Sequence, residues 1–242
     1  MALVMISSLY QGGREALART LADKAHWSFL TREELQEQAK QQGIRVGRLE
    51  VSMIKRPSNS EKLAREKKLY LAFLTSALCK KALEGNLVYS GRAGHLLLPG
   101  VRNRLRVGLT APLDIRIQRT AKSLNMTPDQ AESYLMQLDE DFAKWIRHIH
   151  HASGQDPNQF DVFFNLENTT VPNAAEILHN IAQLPEYRAT TASTRMLKDL
   201  YLCAQAELRL IMDEKTSAVD LKVQAENEVL TVTYPPHHEK IS

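Results

Sequence analysis

The residues with the clearest chemical potential lie in a glycine turn near the start of the chain. Residues 7–14 read SSLYQGGR and stand between the apolar run Leu3–Ile6 and an alanine-rich helical pattern. Backbone N–H groups at such a turn and at a helix N-terminus bind anions. A phosphate loop continues G-K-[ST], whereas Gly12 and Gly13 precede Arg14 here. The turn is therefore either an anion site without its lysine or a structural strand-to-helix connection.

Three further arginines lie just after a predicted strand or on a predicted helix, at positions from which they could bind phosphate. Arg92 comes just after the apolar run 87–89 and Gly91, and the carboxyl end of a parallel strand is where α/β folds bind ligands. A guanidinium group can hold a phosphate with two hydrogen bonds. Arg116 and Arg119 are three residues apart on one helix face, so both can converge on one polyanion. The alternative for Arg92 is an ordinary surface position in a loop.

Apolar periodicity and capping signals predict the elements that would position these residues. Strands alternate with helices, which predicts parallel βαβ units and a three-layer α/β domain. Capping boxes are predicted at Thr31 with Glu34, Ser58 with Glu61, and Thr127 with Gln130. The predicted strands are 3–6, 87–89, 104–109 and 161–165, and the predicted helices are 13–25, 32–42, 58–83, 113–123, 128–151 and 171–181, with residues 44–59 irregular.

The pattern changes in the last quarter of the chain. Residues 186–193 (EYRATTAS) are small and polar, which is typical of a linker. A helix over 194–212 and alternating runs over 219–225 and 229–234 predict a helix followed by a β-hairpin. The predicted domains are thus residues 1–184 and a small α+β appendage at 194–235, which would pack on the main body or on a copy of itself.

Composition limits the function classes. The chain has 242 residues, of which 43% are hydrophobic and 24% charged, as in ordinary globular proteins. A net charge of +3 without a basic stripe argues against nucleic acid as a partner. The basic residues within 62–68 alternate with acids and predict a solvated helix face. Cys79 and Cys203 are expected to be free thiols, and no run of apolar residues reaches the length of a membrane span, so we expect a cytoplasmic protein.

Taken together and in order, these motifs resemble the cytidylate kinase-like family, whose members are relatives of the nucleoside monophosphate kinases. The resemblance runs from about residue 3 to residue 183. It includes Asp139 at the acidic position of the family's lid helix, and Phe160 and Asp161 before Asn165. It implies a P-loop α/β fold and phosphoryl transfer from ATP, with Mg²⁺, to a nucleoside monophosphate such as CMP.

The resemblance also implies roles for single residues. Gly12, Gly13 and Arg14 would face the donor phosphates, Arg92 and Asp139 the acceptor, and Arg116 and Arg119 the lid side of the donor. With Arg14, the last two would be the catalytic cations.

Four departures from the family pattern predict an eroded site. No lysine follows the glycines, and Ser7 stands where the family has arginine. Tyr10 replaces a glycine in the turn, and Phe142 replaces an arginine of the lid helix. Phosphoryl transfer depends on positioned positive charge, so these losses weaken catalysis more than binding. Two functions therefore compete: a nucleoside monophosphate kinase with low or lost activity, and a nucleotide-sensing or scaffolding protein that acts through its appendage.

Two further patterns in the sequence are weaker. The runs 219–223 and 229–232 weakly resemble the strands of BON modules. His148, His150 and His151 invite a metal interpretation, but only His148 and His151 share a helix face, so we predict a solvated helix end and no metal site.

Overall fold

The computed structural model describes residues 1–8, 11–44, 61–153, 156–217, 219 and 221–234. Five strands form one sheet in the order β2-β3-β1-β4-β5, and every neighbouring pair is parallel. They are β1 (Leu3–Ser8), β2 (Ser28–Thr31), β3 (Leu87–Gly91), β4 (Arg104–Thr110) and β5 (Val162–Asn165). The sequence analysis missed β2, because four residues give too short a pattern to recognise.

Helices cover both faces of this sheet. They are α1 (Gln11–Ala25), α2 (Arg32–Gln41), α3 (Glu61–Leu83), α4 (Leu113–Leu124), α5 (Pro128–His150), α6 (Val171–Ala182) and α7 (Thr191–Met212). The capping boxes at Thr31 and Thr127 are confirmed. The box predicted at Ser58, and nearly all of the predicted irregular segment 44–59, lie outside the described residues. The predicted α/β class is confirmed, and the parallel sheet flanked by helices is consistent with a kinase-like fold.

Two apolar cores hold the layers together, one on each face of the sheet. On one face, Leu17 and Leu21 of α1 and Ala174 and Leu178 of α6 pack against Val4, Ile6 and their neighbours. On the other face, side chains of α2, α3, α5 and α7 pack against β1 and β3. Helix α4 has no buried residue and lies beside α5. The free thiol of Cys79 belongs to the second core, and burial raises its pKa to about 12.

Helix α7 begins three residues earlier than predicted. Thr190 caps it, and the Thr190 hydroxyl accepts a hydrogen bond from the Ser193 N–H, so the predicted linker 186–193 is wrong at its end. The helix packs along α3, and its Leu197 is fully buried in the second core. The predicted hairpin is confirmed as β6 (Lys222–Glu226) and β7 (Val229–Thr233), which pair antiparallel.

The basic residues of α3 are exposed (Arg65) or half-buried (Lys67 and Lys68), and they also make contacts that the predicted solvated face did not include. Each of three side chains donates to the backbone carbonyl of another element: Arg65 to Ile211 at 2.8 Å, Lys67 to His148 at 2.7 Å, and Lys68 to Leu221 at 2.9 Å. Ile211 and His148 lie in the last turns of α7 and α5, where carbonyl groups carry negative partial charge. Helix α3 therefore ties the ends of α5, α7 and the hairpin to the main body.

A buried carboxylate fixes the hairpin turn to α7. Asp199 accepts hydrogen bonds from the backbone N–H groups of Asn227, at 3.1 Å, and Glu228, at 2.7 Å. Both turn residues have positive φ, 54° and 63°, as in the type I′ turns that suit a two-residue hairpin. The Asp199 side chain thus connects the hairpin to the helix at the point where the chain reverses.

We expect Asp199→Ala to destabilise the hairpin by about 1–3 kcal/mol. This is the scale for losing hydrogen bonds to a charged group, and the substitution leaves two backbone N–H donors without their carboxylate acceptor. Hydrogen exchange should rise at residues 222–233 and stay unchanged in β1 and β3. The matched control is Asp213→Ala at the exposed end of the same helix. Equal exchange in the hairpin of both variants would contradict this role of Asp199.

Among the described residues, no helix combines the length and the apolarity that a membrane span requires.

Candidate functional site

The carboxyl ends of three neighbouring strands bring polar groups together at one edge of the sheet. The register pairs Ser7 of β1 with Gly91 of β3, and Ser90 of β3 with Thr31 of β2. Ser7 and Ser90 are almost fully buried, at 3% and 1% exposure. Gly91 cannot be replaced without a shift, because a Cβ there would meet the Tyr89 ring. This edge is the crevice in which open α/β sheets bind ligands.

Arg14 projects from the first turn of α1 into this crevice. Its Nε donates to the Ser90 hydroxyl at 3.1 Å, and its Nη1 donates to the Ser8 carbonyl at 3.4 Å. The side chain is 6% exposed, and its Nη2 lies 3.8 Å from a Glu33 carboxylate oxygen. Burial is the largest cause that lowers the pKa of Arg14, and Glu33 opposes this shift. Arg14 is therefore a largely buried cation held by β1 and β3.

Two more arginines surround Arg14. Arg32, at the start of α2, is 8% exposed and lies 3.8 Å from the same Glu33 oxygen. Arg92 is half-buried, and both Arg32 and Arg92 lie close enough to lower the pKa of Arg14 further. Like charges repel each other more strongly away from water, and Glu33, itself 57% exposed, supplies one negative charge. The Arg14–Arg32–Arg92 cluster is thus electrostatically suited to receive an anion.

The sequence analysis predicted Arg14 and Arg92 at a phosphate site but missed Arg32. A basic residue directly after a strand and in the first turn of the next helix was the available signal, but β2 was not recognised. Ser90 carries no signal of its own in the sequence, and its contact with Arg14 joins residues 76 positions apart. The contact depends on β1 and β3 being neighbours, which the sequence pattern did not reveal.

Gly12 and Gly13 lie in the first turn of α1, which begins at Gln11 rather than at the predicted residue 13. Their backbone N–H groups belong to the turn that has no partner within the helix. Gly13 also lines a cleft of about 400 Å³ together with Arg119 and residues 166–171. The cleft thus adjoins the first turn of α1 and the loop that follows β5. Tyr10 lies outside the described residues.

The predicted lid residues Arg116 and Arg119 have different partners in the structure. Arg116 of α4 makes a two-pronged ion pair with Asp139 of α5, with oxygen–nitrogen distances of 2.8 and 2.6 Å. Arg119 is exposed on α4 and donates a long hydrogen bond, 3.5 Å, to the Leu166 carbonyl. Asp139 therefore holds α4 against α5 through Arg116.

Phe142 lies one turn after Asp139 and points into the protein. Its side chain is 5% exposed and belongs to the core that α5 shares with α3 and α7. Its ring stacks on Trp145, with centroids 6.0 Å apart and planes 16° from parallel. The residue at this position is thus part of the packing that seats α5.

A second group of polar atoms is buried under α5. The His95 ring is 3% exposed and packs on Phe160 with centroids 4.2 Å apart. By strict hydrogen-bond geometry, both His95 ring nitrogens, His150 Nε2 and Gln159 Oε1 lack a partner among the described residues, although the Gln159 side chain lies close enough to His95 to oppose the lowering of its pKa. Burial lowers the pKa of His95 to about 4 and that of His150 to about 4. Both rings are therefore neutral in the folded protein near pH 7.

This burial predicts a loss of stability in acid. Because the folded-state pKa of His95 lies below the ordinary value of 6.5, the unfolded chain binds more protons between pH 6.5 and 4. Stability is full above about pH 6.5 and falls as the pH drops towards 4. From His95 alone we expect a loss of about 2 kcal/mol between pH 7 and pH 5. Urea unfolding at both pH values measures it. His95→Phe should remove the part of the difference due to His95 and leave the part due to His150, whose pKa is also lowered to about 4. An unchanged pH dependence in that variant would contradict the assignment.

Within the described ranges, no group of three or more His, Cys, Asp or Glu side chains is arranged to hold a metal ion. His151 Nε2 lies 3.2 Å from Lys67 Nζ, at the end of α5. The larger cleft of about 810 Å³ lies between α2, α3 and α7 and contains none of the predicted site residues.

The five-stranded parallel sheet flanked by helices, with arginines at its carboxyl edge, is consistent with a kinase-like fold. Comparison with known proteins agrees: the chain belongs to the cytidylate kinase-like family, whose model matches residues 3–168. The resemblance predicted from the motifs is confirmed, although the match ends before residue 183. The family supports a nucleotide kinase-like function and nucleotide binding. The match does not extend to the C-terminal segment, so its likeness to BON modules is not shown.

A solved structure shares the fold. It is an uncharacterized protein from Eubacterium ventriosum ATCC 27560, with a TM-score of 0.58 and 15% sequence identity, and the likeness covers 75% of this chain and 97% of that chain. No curated protein matches the sequence.

Proposed function

We propose that the protein binds a nucleoside monophosphate, of which CMP is the first candidate, with its phosphate at the Arg14–Arg32–Arg92 cluster. The observation that carries the proposal is the buried guanidinium group of Arg14 among two further arginines at the carboxyl edge of the sheet. A phosphate dianion would neutralise part of this charge and accept hydrogen bonds from planar guanidinium groups. Arg14 would then contact the acceptor phosphate as well as the donor side.

ATP is the proposed second ligand, with its phosphates at the first turn of α1. Gly12 and Gly13 supply backbone N–H groups there, and the adjoining 400 Å³ cleft offers Arg119 and the polar loop 166–170 to the rest of the nucleotide. Mg²⁺ would enter with ATP. The nearby carboxylates Glu33 and Asp139 are each in ion pairs with arginines, so phosphates and water would supply most of its ligands.

We propose that phosphoryl transfer between these ligands is slow or lost. No lysine follows Gly13, and Arg116 is held in a two-pronged pair with Asp139. The position of the family's lid arginine holds Phe142, which is buried. Each missing cation at a transferring phosphoryl group can reduce the rate by about a hundredfold, although such losses do not add simply.

The second candidate is a nucleotide-sensing or scaffolding protein. The contacts of α3 favour it, because Lys67 joins the end of the lid helix α5 and Arg65 and Lys68 join α7 and the segment before β6. Nucleotide binding that changes the position of α5 would thereby reach the appendage through one helix.

Calorimetric titration with CMP and with ATP·Mg²⁺, followed by a coupled turnover assay on the same sample, tests these proposals. We expect CMP to bind and turnover to lie far below the 1–100 s⁻¹ typical of kinases. UMP, AMP and GMP in the same titration identify the preferred base. Enzyme-like turnover would show that the remaining arginines compensate, and absence of binding by every nucleotide would overturn the nucleotide site itself.

A further inference from the structure

In the part of the chain that the structure describes, one strand of the C-terminal sheet is exposed along its whole length. The hairpin rests on α7 chiefly through β6, whose Val223 and Ala225 are half-buried. Every residue of β7 is exposed, and Val229 reaches 65%. Two-stranded sheets are marginal by themselves, and uncovered apolar strands in soluble proteins mark contact surfaces. This exposed surface consists of residues 229–234.

The apolar side chains of β7 have a defined direction. The register pairs Val223 with Val232 and Ala225 with Leu230, so Leu230 and Val232 lie on the same face as the two half-buried residues of β6. That is the face on which α7 lies, yet Leu230 is 38% and Val232 44% exposed. Helix α7 therefore covers these two side chains only in part. The α7–β6–β7 unit therefore resembles one half of a two-layer structure.

The outer edge of β7 is also open. Among the described residues β7 pairs with β6 alone, and its sequence VLTVT contains no charge, proline or glycine. Natural edge strands are commonly protected by charged residues or proline. β6 carries Lys222 and Glu226, whereas β7 carries no such protection.

We infer that β7 pairs antiparallel with β7 of a second copy of this chain, with the two-fold axis at Thr231. In this register Thr231 faces Thr231 of the partner subunit, and Leu230 faces Val232 of the partner subunit. Val229 faces Thr233 of the partner subunit. All three pairs are compatible, since β-branched and Thr–Thr pairs stabilise antiparallel sheets and no like charges meet. An antiparallel contact of identical strands also closes with two-fold symmetry.

The resulting assembly is a four-stranded sheet in the order β6-β7-β7-β6 with both α7 helices on one face. The paired apolar rows Leu230 and Val232 would cover each other between those helices. One strand and a few apolar side chains form less than the roughly 800 Å² per partner of a standard interface, so we expect a micromolar dissociation constant. The inference does not depend on the nucleotide site.

Sedimentation equilibrium of the full chain, over roughly 1 to 300 µM, tests the inference. We expect the wild type to associate with a roughly micromolar dissociation constant. Three variants then locate the contact. Thr231→Glu places two carboxylates opposite each other across the axis and should raise the dissociation constant at least about tenfold. Gln224→Glu is the matched control. Gln224 is an exposed residue of β6 that pairs with Thr231 of β7, so the substitution adds the same charge one strand farther from the axis. It should leave the constant within about twofold, since exposed charges at that distance are weakly coupled. Mixing Thr231→Glu with Thr231→Lys should restore association as a heterodimer.

Circular dichroism of each variant verifies that the fold is intact. A wild-type chain that stays monomeric over the whole range would overturn the inference. So would a dimer that Thr231→Glu and Gln224→Glu weaken equally, because the contact would then lie elsewhere. Association of the two opposite-charge variants with each other, and of neither with itself, supports the register at Thr231.

Discussion

Arg14→Met should weaken CMP binding by about 2–5 kcal/mol, the range for truncating one partner of a buried, hydrogen-bonded charge pair. Methionine keeps the unbranched apolar stem but lacks the guanidinium group and its charge, so of the cluster only Arg32 and Arg92 would face the phosphate. The free energy of unfolding should change far less, because removing Arg14 also removes repulsion within the cluster. Calorimetry and urea unfolding on the same preparation separate the two effects.

Arg19→Met is the matched control for this experiment. Arg19 lies on the same helix, is 59% exposed, and pairs with Glu15 at 3.2 Å. Its loss should leave CMP affinity unchanged. If Arg14→Met binds CMP as tightly as the wild type, the arginine cluster is not the monophosphate site. If it instead unfolds, the cluster has a structural role and the proposed site loses its main support.

Phe142→Ala should destabilise the protein by about 3–5 kcal/mol, the usual range for removing a buried phenylalanine. The ring lies in the core between α5, α3 and α7 and stacks on Trp145. Urea unfolding measures the change. Met136→Ala is the control on the same helix, because Met136 is 63% exposed and should change stability by less than about 0.5 kcal/mol. Similar stability of the two variants would contradict the buried position of Phe142.

The same burial determines what Phe142→Arg would do. A single cation placed in this apolar core lacks a partner and destabilises strongly, by about 3–5 kcal/mol. We therefore expect no gain in turnover from restoring the family's arginine at this position alone. A large gain in turnover with unchanged stability would show that the side chain can turn towards the ligand crevice.

Local signals along the chain predicted most of the secondary structure. Helix boundaries followed from capping residues such as Thr31 and Thr127, since these side chains bond backbone groups only three residues away. Alternation of apolar strands and amphipathic helices predicted the parallel sheet, because parallel strands need a crossover between them. The motif order also predicted the family. The four-residue strand β2 was missed because its pattern is too short.

Tertiary structure decided which of these residues meet. Arg14 and Ser90 are 76 positions apart, and Arg116 and Asp139 are 23 apart. Those contacts depend on strand order and helix packing, which no local pattern contains. The same holds for the α3 cations, whose partners are the carbonyl groups of distant helix ends.

Every strand and helix except β2, the glycine turn and the missing lysine could be read from the sequence alone, because each is a property of neighbouring residues. Only the folded chain decided that Arg32 joins Arg14 and Arg92, that Asp139 pairs with Arg116, and that Phe142 is buried. The physical reason is that charge and burial are set by everything within a few ångströms of a side chain, and most of those atoms belong to residues far away in the sequence.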